Sequence, residues 1–242
     1  RTDKGAISYT GNRPAGYGKQ RAMTHQELKR LFEGEEMRAF SSDKSKLHMF
    51  WLPHIGLHTG ARINEICQLN PQTDILEDSG IWYFNMTEDT DIDLKDQDVE
   101  QSIKNKKERR VPIHSKLVDL GIIEYVGWAK KQGHKRLFPA WKPVKGKASA
   151  KAADWFQDHL RDTDLRDEKP FKMLAGFHAF RHTFINHADN NDIENYYALS
   201  GHDDKTTSKV IKGYIGKKGL PKLQVMIEKF NFDLSFIKPV KP

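Results

Sequence analysis

Strand-like patterning occurs in only one part of this sequence, between positions 74 and 113. On both sides the apolar residues recur at helical spacing. Residues 74–76 and 81–86 read as two strands joined by the turn Glu77-Asp78-Ser79-Gly80. A third strand at 101–104, a turn at Asn105-Lys106-Lys107 and a fourth strand at 109–113 would make a basic hairpin, with Pro112 confining the last strand to an edge or to its end. A small antiparallel sheet set among helices defines the class: mainly α with a little β (α+β). The 242 residues suffice for one sizeable core.

The helical patterns have recognisable starts and breaks. Thr24 and Glu27 fit a capping box, followed by an apolar face of Leu28, Leu31 and Phe32. A very apolar helix covers 46–58, where Pro53 is expected to bend it or end its first half. Thr59-Gly60-Ala61 then turns the chain into a helix over 62–69 that buries Ile63, Ile66, Cys67 and Leu69. Further helices are expected at 115–132, 149–162, 178–188, 193–199, 206–214 and 223–230, and no internal repeat is visible.

Forty Lys and Arg against 33 Asp and Glu give a net charge of +7, which favours polyanionic partners. No apolar run approaches the roughly 20 residues of a membrane span, and the start lacks a signal-peptide core. Cys67 is the only cysteine, so internal disulfides and multi-thiolate metal sites are excluded; a reducing compartment fits. Residues 1–22 hold five basic residues, one acid and several glycines, and read as a flexible basic linker or arm. The start without Met reads as that of a fragment. Asp89, Asp91, Asp93 and Glu100 nearly match a calcium loop. Leu94, however, occupies the position where that loop needs glycine, so the stretch is read as solvated.

Chemistry concentrates in the stretch that begins His178-Ala179-Phe180-Arg181-His182, continues through Ser200-Gly201-His202 and ends at Tyr214. His178 and Arg181, three residues apart on a helix, project from one face. Arginine forks suit phosphate oxygens because they are planar, permanently charged and bidentate. Arg62 opens another helix, whose backbone amides would add to its anion affinity. Two arginines and two histidines could stabilise a pentacoordinate phosphorane without a metal. Tyr214 could then supply the nucleophile and Lys104 the leaving-group proton, with Lys106 and Lys107 as rivals on the same turn. His178 and His182 could instead suggest zinc, but no third ligand is evident; His182 and His187 are read as structural or solvent-facing. Tyr196 and Tyr197 lie in an apolar helical run, where ring burial explains them.

These pieces resemble the catalytic domain of the tyrosine recombinases, the phage-integrase family. The resemblance rests on Thr59-Gly60-Ala61-Arg62-Ile63-Asn64-Glu65-Ile66, on Lys104-Asn105-Lys106-Lys107-Glu108-Arg109-Arg110-Val111-Pro112, on His178-Ala179-Phe180-Arg181-His182, on Leu199-Ser200-Gly201-His202 and on Tyr214, in the family's order. It implies that fold over 23–216, with an N-terminal core-binding domain missing from the fragment and a C-terminal helix and tail, 217–242, serving protomer contacts or capping its own domain. Arg62 and Arg181 would hold the scissile phosphate. His178 and His202 would support them, Glu65 would orient the site, Lys104 would be the general acid, and Tyr214 would form a 3′-phosphotyrosyl bond with DNA. The implied activity is site-specific recombination of double-stranded DNA, for integration or excision of a mobile element. A homotetramer on synapsed DNA would carry it out, with accessory DNA-bending proteins and without metal or other cofactor. The setting would be a bacterial or phage-encoded protein in the cytoplasm, at the nucleoid. A type IB-like topoisomerase and a DNA-binding regulator on the same fold are the alternatives. The sequence departs from the family's habit in the long interval between His202 and Tyr214, and in Ser200.

Overall fold

The computed structural model describes residues 18–88, 96–103, 108–169, 171–202, 219–235 and 239–242. Residues 89–95 of the expected acidic segment 88–100, the hairpin stretch 104–107 with Lys104, and the segment with Tyr214 lie outside the described residues.

The chain enters through α1 (His25–Glu33), where Thr24 and Glu27 form the capping box, and α2 (Glu35–Ser42). Just before α1, Gly18 to Ala22 are held rather than loose. Lys19 and Arg21 exchange backbone hydrogen bonds with Met173, and the Arg21 guanidinium reaches Glu27 at 2.7 Å and Asp167 at 3.4 Å.

At the centre lies α3 (Leu47–Thr59), buried along nearly its whole length. It does not end at Pro53. With apolar neighbours on every side, packing overrides the local cost of a proline. Phe32 of α1 and Phe180 of α8 (His178–Asn190) lie against one side, and Tyr125 of α6 (Ile122–Lys131) meets Trp51 on another. The approach of α3 to α8 depends on Gly56, where an added Cβ would sit 2.4 Å from Phe177 Cζ. The Phe177 ring is wedged against Phe156 of α7 (Ala150–Asp162) and Phe180, so it has nowhere to retreat. Gly56→Ala is therefore expected to destabilise the domain by about 1–3 kcal/mol through overpacking. A urea midpoint unchanged from the parent would refute this contact.

The sheet is antiparallel, in the order β1 (Ile75–Asp78), β2 (Ile81–Met86), β3 (Arg109–Pro112). Met86 faces Arg109 and Phe84 faces Val111. The expected strand at 101–104 is not a strand in its described part. Instead, the amides of Ser102 and Ile103 donate to the side chains of Gln68 and Glu88. The single helix expected over 115–132 is two, α5 (Ser115–Asp119) and α6, broken where Gly121 takes φ +94°.

After α8 comes the short α9 (Tyr197–Ser200), which is shorter than the expected 193–199 helix at its start. The C-terminal helix α10 (Leu220–Ile227) buries Leu220, Leu223, Met226 and Ile227 against β3, β2 and α9 of its own chain. Phe230 then stacks on Phe184 at 3.8 Å, and Val240 donates its N–H to Leu120 O, so the tail straps back across the domain. None of the described helices is long and apolar enough to cross a membrane.

Candidate active site

Three turns converge beside the sheet. The first joins α3 to α4 (Ile63–Cys67). Gly60 closes α3 in the left-handed region at φ +59°, and a Cβ there would press on the Phe184 ring at 2.8 Å. Thr59 Oγ1 accepts the Ala61 N–H, and Arg62 takes the cap position of α4. Glu65, three residues on, reaches back to accept the Arg62 backbone N–H at 2.9 Å and Arg62 Nη1 at 3.1 Å. The Glu65 carboxylate is 2% exposed. Burial alone would push its pKa up; Arg109 beside it, and then Arg62, outweigh that and hold it below the usual carboxylate range.

The second turn leads into α8. His178 begins the helix exposed, and its ring stands edge-on to His182 at 4.8 Å. Arg181 is buried and spans the first and third turns: its Nη1 donates to Gly60 O at 3.0 Å and to Ser200 O. The same guanidinium thus sits two residues from Arg62 on one side and two from His202 on the other. His182 lies half-buried in this group. Burial lowers its pKa from the ordinary imidazole value, and the charges of Arg181, His202 and Lys19 push the same way.

The third turn is Ser200-Gly201-His202. Gly201 caps α9 at φ +64° and donates its N–H to Tyr197 O, leaving His202 exposed just beyond. Arg181 thereby joins the turn that leads to Arg62 and Glu65 to the turn that leads to His202, from positions up to 140 apart in the sequence, and His178 lies one turn before it on the same helix. Lys104 and Tyr214 lie outside the described residues. Among the described residues, no group of three His, Cys, Asp or Glu is placed to hold a metal ion.

One member of the cluster was not singled out from the sequence. Arg109 of β3, with its side chain only 7% exposed, donates Nη2 to Glu65 at 2.7 Å and Nε to Leu199 O at 2.8 Å. The signal was present: Arg109 falls in the same alternation phase as Val111 and Ile113, which are buried. A charge on the inward face of a strand needs a buried partner, which Glu65 supplies here.

The described residues form a mainly helical domain with a small three-stranded antiparallel sheet. The model of the phage integrase family matches residues 21–211. The chain belongs to the phage integrase family. Among solved structures, a XerH site-specific recombinase bound to palindromic difH substrate, in a post-cleavage complex, aligns with a TM-score of 0.50 and 18% identity over 80% of this chain and 50% of that one. A pre-cleavage XerH complex with difH substrate gives 0.47 and 16% over 82% and 55%. The first likeness is one of fold, that of a tyrosine recombinase catalytic domain. The chain spans about half the length of the solved chains it matches. A comparison with curated proteins found no match.

Proposed function

We propose that this chain is the catalytic part of a site-specific recombinase that cuts and rejoins double-stranded DNA. The observation that supports this reading is the bonding of Arg181, in a phage-integrase domain, to the carbonyls of the two turns that lead to Arg62 and to His202. In it, Arg62 and Arg181 hold the non-bridging oxygens of the scissile phosphate, and their charge offsets the negative charge that builds up as phosphorus becomes pentacoordinate. His178 and His202 hydrogen-bond the same group and assist proton transfer.

Tyr214 Oη gives up its proton to one of the two histidines and attacks phosphorus, and the bond to the 5′-oxygen breaks. The departing 5′-hydroxyl takes its proton from Lys104, and the DNA remains joined to Tyr214 as a 3′-phosphotyrosyl ester. Attack by a 5′-hydroxyl reverses the step and releases the tyrosine. The ester conserves the phosphodiester's energy, so rejoining requires no ATP.

A XerH chain was captured with its palindromic difH substrate in a post-cleavage complex, and by analogy this chain works on a defined DNA site. A homotetramer on synapsed DNA, accessory DNA-bending proteins, a role in moving a mobile element, and a bacterial or phage origin with action at the nucleoid belong to the same reading. So do contacts between protomers through the C-terminal segment.

The test is capture of an adduct. The protein is incubated with a pool of duplexes of randomised sequence, each carrying a nick, so that the strand released by cleavage diffuses away. Detergent-resistant protein–DNA adducts are recovered, the DNA is sequenced, and the protein is digested to find the modified peptide. The expected result is one family of related sequences attached to the peptide containing Tyr214. Attachment to another peptide would overturn the nucleophile assignment. Absence of any adduct, with DNA still bound, would leave a DNA-binding protein rather than an enzyme.

A further inference from the structure

We infer that Arg109 is a positioning residue of this site: it takes up the charge of Glu65 so that Arg62 can serve an anion, and it fixes the turn that presents His202. The inference rests on the strand-cleavage reading above and adds to it a residue that does not touch the phosphate.

Among the described residues, Glu65 has two cationic neighbours for its one carboxylate. Oε2 accepts Arg109 Nη2 at 2.7 Å and the Arg62 backbone N–H at 2.9 Å; Oε1 accepts Arg62 Nη1 at 3.1 Å and Arg109 Nη1 at 3.4 Å. The shortest side-chain bond therefore belongs to Arg109. With both arginines present the trio carries a net positive charge. Without Arg109, Arg62 and Glu65 would form a neutral pair, and the buried carboxylate would draw the Arg62 guanidinium onto itself. Exposure separates the roles of the two arginines. The Arg62 side chain is 22% exposed and can meet a ligand, while that of Arg109 is 7% exposed and is enclosed by its partners.

The second task of Arg109 is mechanical. Its Nε donates to Leu199 O, while Arg181 donates to the next carbonyl, Ser200 O. Two arginines from different elements thus hold consecutive carbonyls of the turn that leads to His202. Gly201 lies flat against the Arg109 guanidinium, where a Cβ would come within 3.0 Å of Cζ. Arg109 hydrogen-bonds both the Glu65 carboxylate and the α9 turn, so its loss disturbs Arg62 and His202 together.

The experiment uses the nicked duplex recovered by adduct capture, made with either an ordinary scissile phosphate or a methylphosphonate, which lacks one anionic oxygen. Single-turnover adduct formation is measured for the 242-residue protein, for Arg109→Met, for Arg109→Lys and for the double variant Arg109→Met with Glu65→Gln. DNA affinity is measured in parallel by gel shift, and folding by circular dichroism. Arg109→Met is expected to slow adduct formation on the phosphate by about 100-fold, the scale of a small misplacement of a catalytic group, with affinity changed by less than about threefold. The defect should shrink on the methylphosphonate, whose transition state needs less positive charge. It should also shrink in the double variant, which removes the carboxylate competing for Arg62. If Arg109→Met proves unfolded, Arg109→Lys and the double variant carry the same comparison.

Wild-type rates in Arg109→Met and Arg109→Lys would overturn the inference. So would a loss of equal size on both substrates with no recovery in the double variant, the signature of a merely structural arginine. Failure of the wild-type protein to form an adduct on any duplex would instead overturn the strand-cleavage reading on which the inference rests.

Discussion

Replacing Arg181 with methionine is expected to slow single-turnover adduct formation by about 10²–10³, the usual cost of deleting one donor aimed at developing anionic charge. The same change should lower stability by about 2–4 kcal/mol. Both effects follow from one placement. Arg181 is 3% exposed and its Nη1 donates to Gly60 O and Ser200 O, the carbonyls of two separate turns. Methionine fills much of the volume but donates nothing, so two buried carbonyls would lose a partner. The turns carrying Arg62 and His202 would also lose the bond that ties them together. Arg181→Lys keeps a positive charge, yet its compact ammonium on a flexible stem cannot reproduce a planar fork. It is expected to recover part of the stability and little of the rate. Rates should be read at a temperature where circular dichroism shows each variant folded. Cleavage at the wild-type rate by Arg181→Met would remove Arg181 from the reacting centre.

Much of the scaffold could be read from local chemistry. The Thr24 and Glu27 capping box forms as its spacing suggests, because both halves of that motif lie within one helical turn. β2 occupies 81–86 because its residues suit a pleated, half-buried surface and Ser79-Gly80 can make the tight turn before it. Where the sequence misled, the deciding interaction was distant. Pro53 is a local signal to stop, but α3 is wrapped by Phe32, Phe180 and Tyr125, and its burial keeps the helix going. The 101–103 segment has the composition of a strand, yet its amides are claimed by Gln68 and Glu88, which no short window could reveal.

The same division holds at the site. Arg62, His178, Arg181 and His202 could be picked out because each sits in a short motif whose residue types make sense together. Their mutual geometry could not be read, since Arg181 joins Gly60 to Ser200 across more than a hundred positions of sequence. Arg109 shows the opposite failure. Its alternation phase with Val111 marked it as inward-facing, but surrounded by Lys106, Lys107 and Arg110 it looked like one more charge on a basic turn. What singles it out is the buried Glu65, 44 residues away.

The protein is also expected to lose stability steeply as the pH falls from about 6.5 toward 4, through buried histidines in and against α3. His54 lies inside α3 with Nδ1 against Phe50 O at 2.8 Å and its ring among Phe32, Phe50 and Trp51. Burial pushes its pKa down to about 4, only partly opposed by the bond to Phe50. His58, one turn on, is fully buried and packs against His114 and Phe232; burial, and then the charge of His114, push it well below the usual range. His114 itself is lowered by burial, with Glu228 pulling the other way. Between its folded and unfolded pKa values each of these groups binds fewer protons in the native state than in the unfolded chain, so stability rises with pH across that window. The contribution is complete above the unfolded value near 6.5 and drains away as the pH falls. For His54 alone the loss by pH 4 is about 3 kcal/mol. Against a total of about 5–15 kcal/mol for a typical domain, one such residue is substantial, and His58 and His114 act in the same direction. Urea unfolding at a series of pH values should show this slope, and His54→Leu should flatten it by close to one proton between pH 4 and 6.5. A slope unchanged in that variant would mean that His54 takes up its proton without unfolding the domain, and that the interior of α3 is open to water.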